Sequence, residues 1–214
     1  MKRADDPKRD YRKLVERGYD EVASVFNDAR SGEDTRALDP LMARLADDAP
    51  VLDLGCGTGV PIARALAERF GVTGVDLSAG QLALARRQVP GATFIQADMA
   101  NVSFDEASFD AVVSFYAIFH LPREEHAPLL ARIHRWLKPG GYLLVSLAMT
   151  DDAAYTEDFF GTEMYWSHYG VDANRRMVED AGFAILRDAV MSHGYGDGDR
   201  PAEAHPLIFA RKAA

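Results

Sequence analysis

The 214-residue chain has a single cysteine, Cys56, which excludes an intrachain disulfide. No apolar run approaches the roughly 18 residues that span a membrane. The opening MKRADDPKRDYRKLVERGYD is charged and lacks the apolar stretch of a secretory signal. Basic charge is in deficit, with 24 Lys and Arg against 33 Asp and Glu, for a formal net charge of −9. Such a surface repels phosphate backbones, and no long basic run offsets it, so nucleic acid is not an expected partner. No histidine pair has zinc spacing, and one cysteine builds no structural zinc site, so no metal is expected. The expectation is a cytoplasmic protein without a membrane partner, monomeric or homodimeric. Hydrophobic residues at 48% and charged residues at 27% suit a folded globular chain, and the length suits one domain.

What is present is alternation. Leu14, Val15, Tyr19, Val22 and Phe26 recur at helical spacing and predict a helix from Tyr11 to about Asn27. Asp39 is placed to cap a second helix that has Pro40 in its first position. PVLDLG predicts a buried strand, and VPIARALAERFG a helix begun by Pro61 and ended by Gly71. VTGVDLS is a second strand, and Ser78 with Gln81 forms a capping-box pattern for the next helix. ATFIQAD, FDAVVSFY and YLLVSLAM are further strands, the last two separated by the helix REEHAPLLARIHRWLK. DANRRMVEDAG is a final helix. FAILRDAVM and HPLIFARK, with no helix between them, predict an antiparallel hairpin. Alternating strands and helices predict a parallel α/β sheet.

GCGTG places three glycines between a strand and a helix, where backbone can approach a ligand closely. The dinucleotide pattern G-x-G-x-x-G fails, because its third position is Val60. Asp53 before the loop would repel a pyrophosphate but suits a cationic part of a ligand.

VLDLGCGTG, GVDLS, FIQADM, FDAVVSFYAIFHL and LKPGGYLLVS, in this order, resemble the motifs of the class I S-adenosylmethionine-dependent methyltransferases over roughly residues 45–150. MVEDAGF and the final hairpin resemble that family's closing segment. The resemblance implies a Rossmann-like doubly wound seven-stranded sheet with one antiparallel strand, and S-adenosyl-L-methionine as cofactor. It implies one domain: cap helices in 1–48, a cofactor core in 49–150, an aromatic substrate lid in 151–170, and a helix with a hairpin in 171–214. By position, Asp53 with Gly55, Gly57 and Gly59 matches the motif holding the methionine moiety. Asp76 matches the acid that binds the ribose hydroxyls, with Leu77 packing on adenine. Asp98 and Met99 match the adenine contacts, and Ser114 and Phe115 lie beneath the methionine part. Tyr19 matches the tyrosine of a cap helix.

His120 follows the fourth strand, where the resemblance puts the transferred methyl, and is the candidate base. Packing and positioning remain alternatives for it. Tyr116, Phe119, Tyr165, Trp166 and His168 are candidate acceptor contacts. The aromatic-rich AAYTEDFFGTEMYWSHYG reads as a loop that encloses an apolar acceptor or as a core patch. His193 and His205 could reach the same mouth. The SFYAIF stretch lacks the PPY of nucleobase and glutamine methyltransferases, which leaves a small molecule as expected acceptor. Two other readings stay open: a nicotinamide-dependent oxidoreductase, and a cofactor-binding regulatory subunit without turnover.

Overall fold

The computed structural model describes residues 1–4, 9–30, 35–193 and 203–213. A two-residue strand, β1 (Lys2–Arg3), precedes helix α1 (Tyr11–Arg30). The Asp10 carboxylate accepts the Lys13 backbone N–H at 3.1 Å, which satisfies one of the helix's orphan donors. Leu14, Val15, Gly18, Val22 and Phe26 form its buried stripe. A short 3₁₀ turn leads into α2 (Asp39–Met42), so Asp39 sits inside the first turn and Leu38 takes the cap position predicted for Asp39.

The alternation then runs β2 (Pro50–Leu54), α3 (Ile62–Ala67), β3 (Gly71–Asp76), α4 (Ala79–Gln88), β4 (Thr93–Gln96), β5 (Phe109–Ser114), α5 (His126–Trp136) and β6 (Leu137–Ser146). Gly71 does not end α3: that helix stops at Ala67, and Gly71 opens β3 by pairing with Pro50. At α4, the Ser78 hydroxyl accepts the Gln81 N–H at 3.0 Å, but the reciprocal half of the box is missing. The Asp76 carboxylate has taken the Ser78 N–H instead, at 2.9 Å.

Two more strands, β7 (Asp152–Phe159) and β8 (Thr162–His168), occupy the aromatic segment expected to be a loop. They pair antiparallel, and β1 adds to β7, making a three-stranded sheet. Helix α6 (Val171–Asp180), β9 (Phe183–His193) and β10 (Glu203–Lys212) close the chain.

The main sheet has the order β4-β3-β2-β5-β6-β10-β9. Only β10 runs against the rest, as its antiparallel pairing with both β6 and β9 requires. Val51, Leu52 and Leu54 in β2 are completely buried, because a parallel strand covered on both faces has no solvent side. Each such side chain contributes about 1.5–3 kcal/mol relative to exposure. One core face is packed by residues of α2, α3 and α4, the other by residues of α5 and α6. From β2 the chain winds outward through β3 and β4, then returns to β5 on β2's other side. The carboxyl ends of β2 and β5 therefore bracket the point where strand order reverses, the usual ligand crevice of such sheets.

Helix α1 lies off the main sheet. Leu14 and Val15 pack with Met164 and Tyr165 of β8. Gly18 permits this approach, since a Cβ there would lie 2.8 Å from the Met164 methyl carbon. Among the described residues, no helix is long and apolar enough to cross a membrane.

Candidate active site

Two adjoining chambers open at the carboxyl edge of the sheet. The first, of about 730 Å³, is walled by the glycine loop, the ends of β3 and β5, residues 97–99 after β4, and helix α1. The second, of about 910 Å³, lies between the segment after β5, the β7–β8 hairpin and the start of β10. Tyr19, Phe26, Tyr116 and His120 line both chambers and form their junction.

The loop after β2 bends through left-handed backbone at Gly55, Gly57 and Gly59, with φ of 72°, 54° and 77°. A Cβ on Gly57 would meet only the Gln81 Oε1, at 3.6 Å, so this glycine faces open space. A Cβ on Gly55 would collide with the Ala117 Cβ at 2.2 Å, so there the glycine serves close packing as well. Gly59 packs toward Val89 and Phe94 and does not line the first chamber.

Asp76 lines the first chamber. Its carboxylate accepts the Gly57 N–H at 2.8 Å and the Ser78 N–H at 2.9 Å. Burial raises its pKa, and those backbone bonds oppose the rise. Leu77, Asp98, Met99 and Phe115 also line this chamber. Asp98 is tied to α1 and to its own loop: its Oδ2 accepts from Arg12 Nε of α1 at 2.6 Å and from Asn101 at 2.7 Å, and its Oδ1 from the Ala100 N–H at 2.8 Å.

Asp53 does not line the chamber. It is 2% exposed behind the loop, and its Oδ2 is buried without a hydrogen-bond partner among the described residues. Desolvation and the neighbouring Asp76 charge push its pKa up to about 7, against a downward pull from Arg30. Arg30, from the last turn of α1, is buried in the chamber wall with its guanidinium 4.7 Å above the Tyr116 ring. Ser114 is also outside the lining, its hydroxyl donating to the Leu54 carbonyl at 2.8 Å.

His120 ends a 3₁₀ turn just after β5. Its Nδ1 lies 2.8 Å from the Tyr165 carbonyl, which can only accept, so Nδ1 carries the proton. Nε2 is then the acceptor, and the Tyr19 hydroxyl donates to it at 2.8 Å. Burial pushes the imidazole pKa down to about 4, so the ring is neutral at ordinary pH. Tyr116, four residues earlier, holds a left-handed φ of 55°, unfavourable for an aromatic residue, while its N–H donates to the Ser146 hydroxyl at 2.7 Å.

Phe119, Trp166 and His168 line the wall of the second chamber. Tyr165 does not: it is buried, stacks on Tyr11 at 4.6 Å, and reaches the site only through its carbonyl. His205 does line the chamber, from β10, with its ring stacked on Phe119 at 5.6 Å. The His193 side chain lies outside the described part of the structure. Tyr155 and Phe159 belong to the aromatic segment read as enclosing an acceptor, whereas Phe26, Arg30 and Glu157 were not among the sequence candidates. Phe26 carried a visible signal, since it continues the α1 stripe one turn beyond Val22 and faces what that helix covers.

A family described as a methyltransferase domain matches residues 51–141. Over 135 residues the chain is 42% identical to the trans-aconitate 2-methyltransferase of Deinococcus radiodurans, covering 60% of this chain and 48% of that protein. The chain thus spans about half the length of such relatives. Over 151 residues it is 30% identical to an uncharacterized methyltransferase of Synechocystis sp., covering 67% of this chain and 71% of that one. In fold it is similar to the 1,6-didemethyltoxoflavin-N1-methyltransferase of Burkholderia thailandensis, solved with 1,6-didemethyltoxoflavin and S-adenosylhomocysteine bound. The TM-score is 0.73 at 21% identity, over 99% of this chain and 94% of that one.

Proposed function

This chain belongs to the class I S-adenosylmethionine-dependent methyltransferases, whose cofactor is S-adenosyl-L-methionine, and from that premise we propose that it methylates a small molecule held in the second chamber, with His120 as base. The observation that carries this reading is the junction: four residues shared by two chambers, one of them a neutral imidazole with its tautomer set.

The first chamber's residues fit the cofactor. Gly57 leaves open space beside the loop that a side chain would fill. The Asp76 carboxylate lines the chamber with acceptor capacity beyond its backbone bonds for the ribose hydroxyls, and Leu77 offers an apolar surface to adenine. Arg30 is placed for the methionine carboxylate. The orphaned Asp53 Oδ2 supplies negative charge from behind the loop once a cation approaches and favours its ionised form. Bound there, the cofactor supplies an electrophilic methyl on a sulfonium.

The protein's remaining work is to orient the acceptor, exclude water and receive its proton. Tyr19 stands on His120 Nε2, so a proton from an acceptor against Tyr19 passes to that hydroxyl as the hydroxyl hands its own to Nε2. The Tyr165 carbonyl holds the imidazolium that results. A second reading takes trans-aconitate, named for the Deinococcus relative, as acceptor. It ranks lower because neither Lys nor Arg lines the second chamber among the described residues.

The test is S-adenosylhomocysteine release across a small-molecule acceptor panel, in wild type and His120→Ala. Turnover of one acceptor should fall about 10²–10⁴-fold in the variant, the range for a lost general base, with S-adenosylhomocysteine affinity unchanged. Cofactor binding without turnover of any acceptor would favour the regulatory reading instead.

A further inference from the structure

Residues 97–99 wall the first chamber after β4, and their backbone is held from outside it. The Asp98 carbonyl accepts the Asn101 and Val102 N–H groups, both at 2.9 Å. The 98–99 peptide is trans, so its N–H points opposite to that carbonyl, away from the turn. This Met99 N–H makes no hydrogen bond among the described residues. The next peptide is gripped at both ends. Its carbonyl, of Met99, accepts from Arg132 Nη2 at 2.8 Å, and its N–H, of Ala100, donates to Asp98 Oδ1 at 2.8 Å. The other arm of the Arg132 fork donates to the Ala100 carbonyl.

Arg132 stands on α5 and does not line the chamber. Its guanidinium carbon lies 5.5 Å from the Trp136 ring centroid, and its Nε is buried without a partner among the described residues. Two consecutive carbonyls are what the fork serves, a task suited to a planar guanidinium and less to a point charge. The effect reaches the chamber through Asp98. Turning the 99–100 peptide would take the Ala100 N–H off Oδ1 and leave that end of the carboxylate loose. Arg12 and Asn101 already share Oδ2, so Oδ1, with one bond among the described residues, is the oxygen with more capacity for a ligand.

We infer that Arg132 is a positioning residue for the adenine base: by clamping the 99–100 peptide it holds the Asp98 carboxylate to receive the exocyclic amino group and the Met99 N–H to meet a ring nitrogen. The inference rests on the reading of the first chamber as the cofactor site, with Asp98 and Met99 at the adenine.

The probes are S-adenosylhomocysteine and S-inosylhomocysteine, which has a carbonyl in place of the amino group and a ring N–H in place of the ring acceptor. Both are titrated calorimetrically into the full chain, the weaker one by displacement. Wild type should prefer the adenine compound by about 10²-fold or more, since the inosine compound sets acceptor against acceptor and donor against donor. Arg132→Met should weaken S-adenosylhomocysteine by about tenfold or more and S-inosylhomocysteine by less than about threefold, so the preference shrinks. Arg132→Lys, a point charge without the fork, should recover part of the preference and stay severalfold below wild type. A melting curve accompanies each protein. A brace with no part in base selection would lower the melting point and weaken both compounds alike, so an unchanged preference in Arg132→Met would overturn the inference. If Arg132→Met does not melt cooperatively, Arg132→Lys decides, and a preference within about twofold of wild type would overturn it. A wild type that binds both compounds equally would bring down the adenine reading itself, and the inference with it.

Discussion

Asp76→Ala gives the sharpest test of the first chamber. A carboxylate offers about four lone-pair sites. The Gly57 N–H at 2.8 Å takes one on Oδ2, and the Ser78 N–H at 2.9 Å takes one on Oδ1. The Leu77 N–H also reaches the carboxylate, and the lone-pair sites still open face the chamber, where two neighbouring ribose hydroxyls would use them. At about 1.5–3 kcal/mol for a hydrogen bond to a charged group, losing both costs about 3–6 kcal/mol, or roughly 10²–10⁴ in affinity. The substitution also strands these backbone donors, so some stability is lost with it. Titration calorimetry with S-adenosylhomocysteine, paired with a melting curve, separates the two effects. An Asp76→Ala protein that melts cooperatively and still binds within threefold of wild type would refute the assignment. Cofactor and strand end would then be unrelated.

Gly57→Val forces a branched residue into φ +54° and pushes its bulk into open space, so S-adenosylhomocysteine binding should disappear while the sheet stays folded, as circular dichroism would show. Normal binding would move the cofactor away from this loop. Asp20 of α1 accepts the Ser78 hydroxyl at 2.5 Å and the Gly80 N–H at 2.8 Å, latching the helix to the start of α4. Asp20→Ala should cost about 1 kcal/mol, as for a lost cap, and speed hydrogen exchange in 11–28; unchanged exchange there would count against a lid. Burial lowers the pKa of His120 and of His126 to about 4, and raises that of Asp53 to about 7. Between about pH 4 and 6.5 the unfolded chain therefore holds two histidine protons that the folded chain lacks, while the folded chain holds one extra on Asp53. The difference is one proton toward the unfolded state, so stability should rise with pH by about 1.4 kcal/mol per unit from these groups. Asp53→Asn removes the opposing proton and should roughly double that slope in urea titrations at pH 4.5, 5.5 and 6.5. A wild-type slope that is flat or reversed would show that these groups are not held as described.

The order of elements and the place of the ligand site follow from local sequence. Val51 to Leu54 make a buried strand, GCGTG a turn only glycines accommodate, and Asp76 and Asp98 fall just where strands end. Such features depend on residues a few positions apart, which is why they can be read along the chain. Residues 152–168 could not be read this way. Both hairpin strands place apolar groups on two sides, toward α1 and toward the second chamber, so no clean polar alternation marks them as strands. The misplacement of Asp39 has a similar cause: the preceding 3₁₀ turn shifts the helix start by one residue. Sequence offered His120 as a base but not its state. Its tautomer comes from the carbonyl of Tyr165, 45 residues away, and its Nε2 contact from Tyr19, 101 residues away. The withdrawal of Asp53 behind the loop and the arrival of Arg30 beside Tyr116 were equally invisible, because burial and counter-charge are set by whichever distant segments pack alongside. Local periodicity and turn chemistry thus give the scaffold and its crevice, while protonation and ligand preference wait on contacts that only folding makes.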